Sequence, residues 1–259
     1  MKFLLLGSGG QLGRAFVDLF LKKDLTFRAY GHHELSITSF AHLEFVILKE
    51  RPDVLINCAA FNYVDCAETL PPKAFFVNSY AVKNLALLCE KFRIKFVHFS
   101  SDYVFSGNSG EKYTENDQVD PLNVYGRSKL LGESFIQEIS SNFLIFRTSW
   151  VYGRGKQNFI QKLLKWAQTE DLVCISLDEI SVPTSASLIA DISLKSIYKE
   201  MKGLYHLTCS GFTSRYDFSL EVFRLLKIKK KIKPVSKSYF ALPAPRGDFL
   251  VLDNSLLRK

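Results

Sequence analysis

The chain has 259 residues, 47% of them hydrophobic, and a net charge of +8 at neutral pH. No apolar run approaches the ~20 residues that cross a bilayer, which argues against a membrane-spanning protein. The positive charge is largely dispersed, which argues against a nucleic-acid-binding protein and for a diffuse field that attracts small anions.

The opening Met1-Lys2-Phe3-Leu4-Leu5-Leu6 gives way to Gly7-Ser8-Gly9-Gly10. So short an apolar stretch is no secretory core, but it suits a first buried strand over Lys2–Leu6. Gly7, Gly10 and Gly13 follow at once, ahead of a helix over 12–22 that places Leu12, Phe16, Leu19 and Phe20 on one face. A glycine triplet between an apolar strand and a helix predicts a dinucleotide phosphate loop. One glycine permits the tight turn, another the close approach of pyrophosphate to backbone, and the third the packing of helix on strand. The helix N-terminus then offers free N–H groups and partial positive charge to the phosphates.

The second strand, Thr26–Tyr30, runs into Gly31-His32-His33. Carboxylates at this point usually hold the ribose 2′-OH of NAD, and they repel a 2′-phosphate. Gly31 carries none, so NADPH is expected as cofactor with NADH as a second option, and Glu34 reaches the ribose only if the turn runs one step differently. A helix over 39–49, a strand over Val54–Asn57, a helix opening after Pro71-Pro72 and reaching Phe92, and a strand over 95–99 come next. Alternation of this kind predicts an α/β fold, a Rossmann-type doubly wound parallel sheet.

Residues 100–124 form a long polar connection leaving the carboxyl end of that strand, where open α/β sheets bind ligands. Ser101 there can offer a hydroxyl to a substrate carbonyl. Tyr125 and Lys129, four apart at the start of a helix predicted over 125–139, share one face. An ammonium beside a phenol lowers the phenol from its ordinary pKa of about 10. Such a tyrosine can protonate a carbonyl oxygen as hydride reaches the carbon.

Further strands are predicted over 143–147, 172–176 and 203–208, with helices over Phe159–Thr169, 184–197 and 216–226. Residues 150–158 read as loop, as does the lysine-rich run 227–233 before Pro234. The division expected is a Rossmann domain over 1–148, to which a segment about 170–200 returns, and a smaller substrate-binding lobe made of 149–169 and 201–259. The five cysteines, Cys58, Cys66, Cys89, Cys174 and Cys209, are scattered, with no CxxC pair and no accompanying histidine cluster. They read as free thiols and, with no secretory core, place the protein in the cytoplasm.

Taken together, these motifs resemble the dTDP-4-dehydrorhamnose reductase family of the extended short-chain dehydrogenase/reductase superfamily. The matching stretches are 7–13, 53–60, 64–68, 99–105, 121–126, 146–153, 183–184 and 203–207, in family order along most of the chain. The resemblance implies NAD(P)H-dependent reduction of the 4-keto group of dTDP-4-dehydro-L-rhamnose, giving dTDP-L-rhamnose. It implies Tyr125 as proton donor, Lys129 as its electrostatic partner and nicotinamide-ribose ligand, and Ser101 as the third catalytic group, where the family usually has Thr. Ser101, Asp102 and Trp150 fall at substrate positions of the family. Gln11, Leu12, Ser36, Ile37, Ala60, Phe61, Asn62 and Phe99 fall along its cofactor wall with Gly7, Gly10, Gly13, Tyr125 and Lys129.

The chain also departs from the family pattern. Ser36 stands where Asp is frequent, and Glu179 and Ser181 replace the Gln and Gly that precede Pro183. Ala15 and Ser187 stand where some relatives hold magnesium through glutamates at a dimer interface, so no metal is expected, while a homodimer is left open. Other reductases and epimerases of nucleotide sugars share the superfamily. So does a non-catalytic regulatory subunit of methionine adenosyltransferase, and these stand as alternatives.

Overall fold

The computed structural model describes residues 1–155 and 158–259. Strands β1 (Lys2–Leu6), β2 (Thr26–Tyr30), β3 (Val54–Asn57), β4 (Lys95–Ser101) and β5 (Phe143–Thr148) come first along the chain. Short strands β6 (Val151–Tyr152), β7 (Val173–Ser176), β8 (Ile180–Ser181) and β9 (Thr184–Ser185) lie outside their sheet, and β10 (Gly203–His206) returns to it. The sheet has six strands in the order β10-β5-β4-β3-β1-β2, all parallel. Every residue of β3 and β4 is buried, as a central strand covered on both faces requires, whereas the edge strand β2 is partly open.

Two apolar cores fill the two faces. Leu4, Leu6, Leu55 and Phe96 pack against α2 (Phe40–Glu50), against α5 (Ala81–Lys91), and against Ile136 of α6 (Val124–Ile139), numbering that leaves α1, α3 and α4 to be placed. On the other face Phe3, Leu5, Val97 and Leu144 pack against α1 (Gln11–Lys22) and α8 (Ala186–Tyr198). The strand order reverses between β1 and β3, which opens a crevice at their carboxyl ends, the place where such sheets receive ligands.

Three segments differ from the sequence expectation. The helix predicted from Pro71 to Phe92 is α4 (Pro71–Phe75) and α5 joined by a π-helical turn, Phe76–Tyr80, preceded by a short α3 (Val64–Thr69). Val173–Ser176, expected with the sheet, pairs instead with Ile232–Val235, at the end of the lysine-rich run. That pair packs on α7 (Phe159–Thr169) and α9 (Arg215–Leu225) as a small second core of Leu163, Val173, Ile175, Val222 and Phe223. The place beside β5 is taken by Gly203–His206, which had been expected in the lobe. The reason is the crossover: once α8 has packed against α1, the next strand lands on the free edge of β5. Among the described residues no helix is long and apolar enough to cross a membrane.

Candidate active site

The glycine loop is built by backbone approach. Gly7 takes a left-handed φ of 78°, and a Cβ there would stand 2.6 Å from the Ala59 nitrogen in the loop after β3. A Cβ on Gly13 would stand 2.2 Å from the Gly7 carbonyl oxygen, so α1 can seat on the loop only without a side chain at that point. Gly10 caps α1 with no side-chain hydrogen bond to the first helical N–H groups. A cradle this close, opening onto a helix N-terminus, fits a pyrophosphate. Gln11 and Leu12 open α1, with Leu12 half-buried against the core between the sheet and α1 and α8.

The loop is stitched to the end of β2, where the Gly7 and Ser8 N–H groups donate to the Tyr30 carbonyl at 2.9 and 3.1 Å. Just beyond, the Gly31 N–H donates to Glu34 Oε2 at 2.7 Å, and the Glu34 N–H donates back to the Gly31 carbonyl at 3.1 Å. A carboxylate therefore does stand at this strand end, supplied from three residues on. Ser36 shares a 2.8 Å hydrogen bond with Thr38, and the Ile37 side chain is buried in the core beside α2.

The loop after β3 joins this cradle to the catalytic candidates. Phe61 is clamped at both backbone groups: its N–H donates to Asn78 Oδ1 at 2.8 Å, and its carbonyl accepts from Asn78 Nδ2 at 3.1 Å. Asn78 lies in the π-helical turn and also donates to Ser128 of α6 at 3.0 Å. A Cβ on Gly132 would stand 2.3 Å from the Asn78 carbonyl, so the two helices touch backbone to backbone. Widened helical turns of this type gather at functional sites, and this one fixes the loop carrying Ala60, Phe61 and Asn62 relative to α6.

The start of α6 is held with equal care. Asn123 accepts from the Gly126 N–H at 2.8 Å as an N-cap and donates to the Pro245 carbonyl at 2.9 Å, while Glu68 accepts from the Val124 N–H at 2.7 Å. Tyr125 is thereby aimed at the loop after β3, and its hydroxyl donates to Asn62 Oδ1 at 3.3 Å. Burial pushes its phenol up from the ordinary value, with the Ser101 hydroxyl opposing that shift. The neighbouring lysine does not lower it. Lys129 Nζ donates to the Phe99 carbonyl at 2.6 Å and sits 3.3 Å from His98 Nε2. Burial lowers the Lys129 ammonium to about 8, with Glu133 one turn further along α6 resisting. His98, enclosed beside Asn57 and the ammonium, is held well below its ordinary range and is neutral. The lowered phenol expected from the four-residue spacing is thus absent, because the ammonium turns back onto β4.

Ser101 ends β4 and donates to Asp102 Oδ1 at 2.9 Å while accepting from the Tyr103 N–H at 3.1 Å. Asp102 is fully enclosed. Ser149 and Ser181 hydroxyls lie 2.8 and 3.0 Å from its other oxygen and hydrogen-bond each other, and Ser181 reaches the Leu250 carbonyl at 2.6 Å. Burial raises the Asp102 carboxyl, opposed by these hydroxyls and by Arg215. Trp150 joins through Arg215, whose guanidinium lies 3.5 Å from the indole centroid and 3.9 Å from Glu179. The Trp150 backbone is left-handed, at φ 38°, a strained state for a bulky residue and a frequent companion of functional sites.

The constellation therefore brings Ser101, Asp102, Tyr125 and Asn62 together, with Lys129 and Phe99 behind them and Trp150 at the lobe side. Asn78, His98, Ser149 and Arg215 were not anticipated from sequence. An Asn-Ser pair set between Phe75-Phe76-Val77 and Tyr80-Ala81-Val82 was the available signal for Asn78; the others had none.

The sequence profile of the RmlD substrate binding domain matches residues 1–259. A spore coat polysaccharide biosynthesis protein, SpsK of Bacillus subtilis, is 31% identical over 258 residues, covering 100% of this chain and 91% of its own. A dTDP-4-dehydrorhamnose reductase structure from Clostridium acetobutylicum superposes with a TM-score of 0.96 at 36% identity, covering 100% of this chain and 92% of its own. One from Bacillus anthracis, solved in complex with NADP, also gives 0.96 at 29% identity, covering 99% and 92%.

Proposed function

The chain belongs to the RmlD substrate binding domain family, and on that premise we propose that it is an oxidoreductase that reduces the 4-keto group of dTDP-4-dehydro-L-rhamnose to give dTDP-L-rhamnose in the cytoplasm. NADPH is the cofactor, with NADH accepted as well. The observation that carries this reading is the buried, protonated Tyr125 hydroxyl beside Ser101, on a helix start that Asn78 and Asn62 tie to the glycine cradle. Two solved relatives bearing the reductase name, one of them with NADP, support it.

Held in the glycine cradle, NADPH would supply the hydride for the sugar C4. The chain's own residues then have distinct tasks. Gly7, Gly10 and Gly13, with the first N–H groups of α1 at Gln11 and Leu12, hold the pyrophosphate. Ala60, Phe61, Asn62 and Phe99 form the wall that keeps the nicotinamide end in place. Tyr125 delivers its proton to the carbonyl oxygen, and a phenol kept protonated by burial is in the correct state to do so. Ser101 hydrogen-bonds the same oxygen and aligns it. Lys129, anchored on the Phe99 carbonyl, supplies a donor for the ribose hydroxyls. Asp102 and Trp150 face the sugar, residues 149–169 and most of 201–259 close over it, and β10 serves the sheet.

Purified protein is expected to oxidise NADPH only when a dTDP-linked 4-keto-6-deoxy sugar is present, with product stereochemistry read by NMR. Turnover of the sugar with no net loss of NADPH indicates an epimerase. A folded protein that is inert across the panel and co-purifies with a larger partner indicates a regulatory subunit.

A further inference from the structure

We infer that Glu34 is the residue that reads the 2′ position of the adenosine ribose, and so sets the relative affinity for NADH and NADPH. The inference rests on the dinucleotide reading of the glycine cradle and concerns one group that the cradle does not explain. Position 31 ends β2, where a carboxylate on the strand itself commonly meets the ribose hydroxyls. Here that position is glycine, and a carboxylate from further along the turn lies against it. A Cβ built on Gly31 would stand 3.3 Å from Glu34 Oε2 and 3.7 Å from the Ser8 hydroxyl of the phosphate loop. The Glu34 carboxylate thus stands in contact with the point where an aspartate at 31 would begin.

The placement is specified. Reciprocal hydrogen bonds between Gly31 and Glu34, together with the Leu35 N–H donating to the Gly31 carbonyl at 3.0 Å, fold the 31–35 turn back on itself. Leu35 and Ile37 anchor the turn in the core, so the carboxylate has a fixed stalk on one side and open solvent on the other. The strand end is bound to the loop through Tyr30, which holds the carboxylate beside the phosphate cradle. A ribose carrying free hydroxyls can donate to it. A ribose 2′-phosphate instead meets a like charge, and Glu34 must leave its bond to the Gly31 N–H before that phosphate can settle. His32 and His33, exposed on the same turn, stand ready to face a phosphate once the carboxylate has swung out.

The test compares 5′-AMP with adenosine 2′,5′-bisphosphate, which differ only in the 2′-phosphate, by calorimetric titration of the full chain and of Glu34→Gln. Glu34 is exposed, so the variant keeps the fold, and thermal unfolding of both proteins verifies this. Glu34→Gln is expected to shift the affinity ratio towards the bisphosphate by about tenfold or more, the scale of relieving a like-charge contact. Glu34→Asp, whose shorter side chain keeps the charge, is expected to shift it less. An unchanged ratio with both ligands still binding overturns the role of Glu34 and leaves the dinucleotide reading intact. Failure of the folded wild-type protein to bind either ligand overturns both.

Discussion

The glycine-loop side and the Asp102 side of this site are made in different ways. The cradle for the dinucleotide is mostly backbone: three glycines, helix N–H groups and a strand end, all within the first 35 residues. The pocket facing it is made of side chains drawn from distant segments. Asp102 collects hydroxyls from Ser101, Ser149 and Ser181, and Trp150 is covered by Arg215. Backbone geometry tolerates almost any sequence that avoids a Cβ at two or three points. A convergent side-chain cluster depends on each member, so the second region is where relatives of one fold can differ in substrate.

Tyr125 stands between the two regions, and replacing it gives the largest expected effect. Tyr125→Phe should lower kcat/KM for the sugar by roughly 10²–10⁴, the usual worth of a general acid. NADPH affinity by calorimetry should stay unchanged. Unaltered turnover would remove Tyr125 from the chemistry. Gly13→Ala attacks the backbone region alone. Its methyl would meet the Gly7 carbonyl oxygen at 2.2 Å, so the loop must shift. Strain of about 1–3 kcal/mol should appear as a lower Tm, with dinucleotide affinity weakened in proportion. A variant that keeps both Tm and affinity would show that the cradle does not need helix and strand in such close contact.

Arg215→Met attacks the other side. It removes the cation stacked on Trp150 and acting on Asp102. KM for the sugar is expected to rise roughly tenfold, as on loss of a desolvated cation stacked on an aromatic ring, with dinucleotide affinity untouched. Equal loss of both affinities would mean that the two regions are not separately built.

The smallest effect concerns the outer edge of the sheet, away from both regions. His206 of β10 donates from Nδ1 to the carbonyls of Tyr113 and Asp253, and burial lowers its pKa to about 4. The unfolded chain therefore takes this proton first as pH falls. Stability from His206 is fully present above about pH 6.5 and is lost progressively as pH drops towards 4. Urea midpoints should fall between pH 7 and pH 5, and less steeply in His206→Gln, with buried His98 accounting for part of the remaining slope. Parallel pH profiles in the two proteins would exclude this contribution.

Much of the first region was legible before any coordinates. Apolar runs of strand length, the glycine triplet and the 3.6-residue periodicity of α1 and α6 are local, and burial on both faces of a parallel sheet leaves few other readings of them. Gly31 illustrates the limit of local reading. Its missing side chain removed the expected carboxylate, but a turn closed by two hydrogen bonds returned one from Glu34. The spacing of Tyr125 and Lys129 fixed their common helical face but not the direction of the ammonium, which an enclosed carbonyl on β4 decides.

The phosphate loop at the first turn and the helix that carries Tyr125 are read from residues near in the chain, and the parallel sheet from the alternation of short apolar runs with helical segments. Packing between distant segments placed Gly203–His206 at the sheet edge, Val173–Ser176 in the small core under α7 and α9, and three serines around Asp102. Those outcomes depend on which surfaces remain free after α8 has packed and on where buried polar groups can find partners. Neither is written in any single stretch of residues.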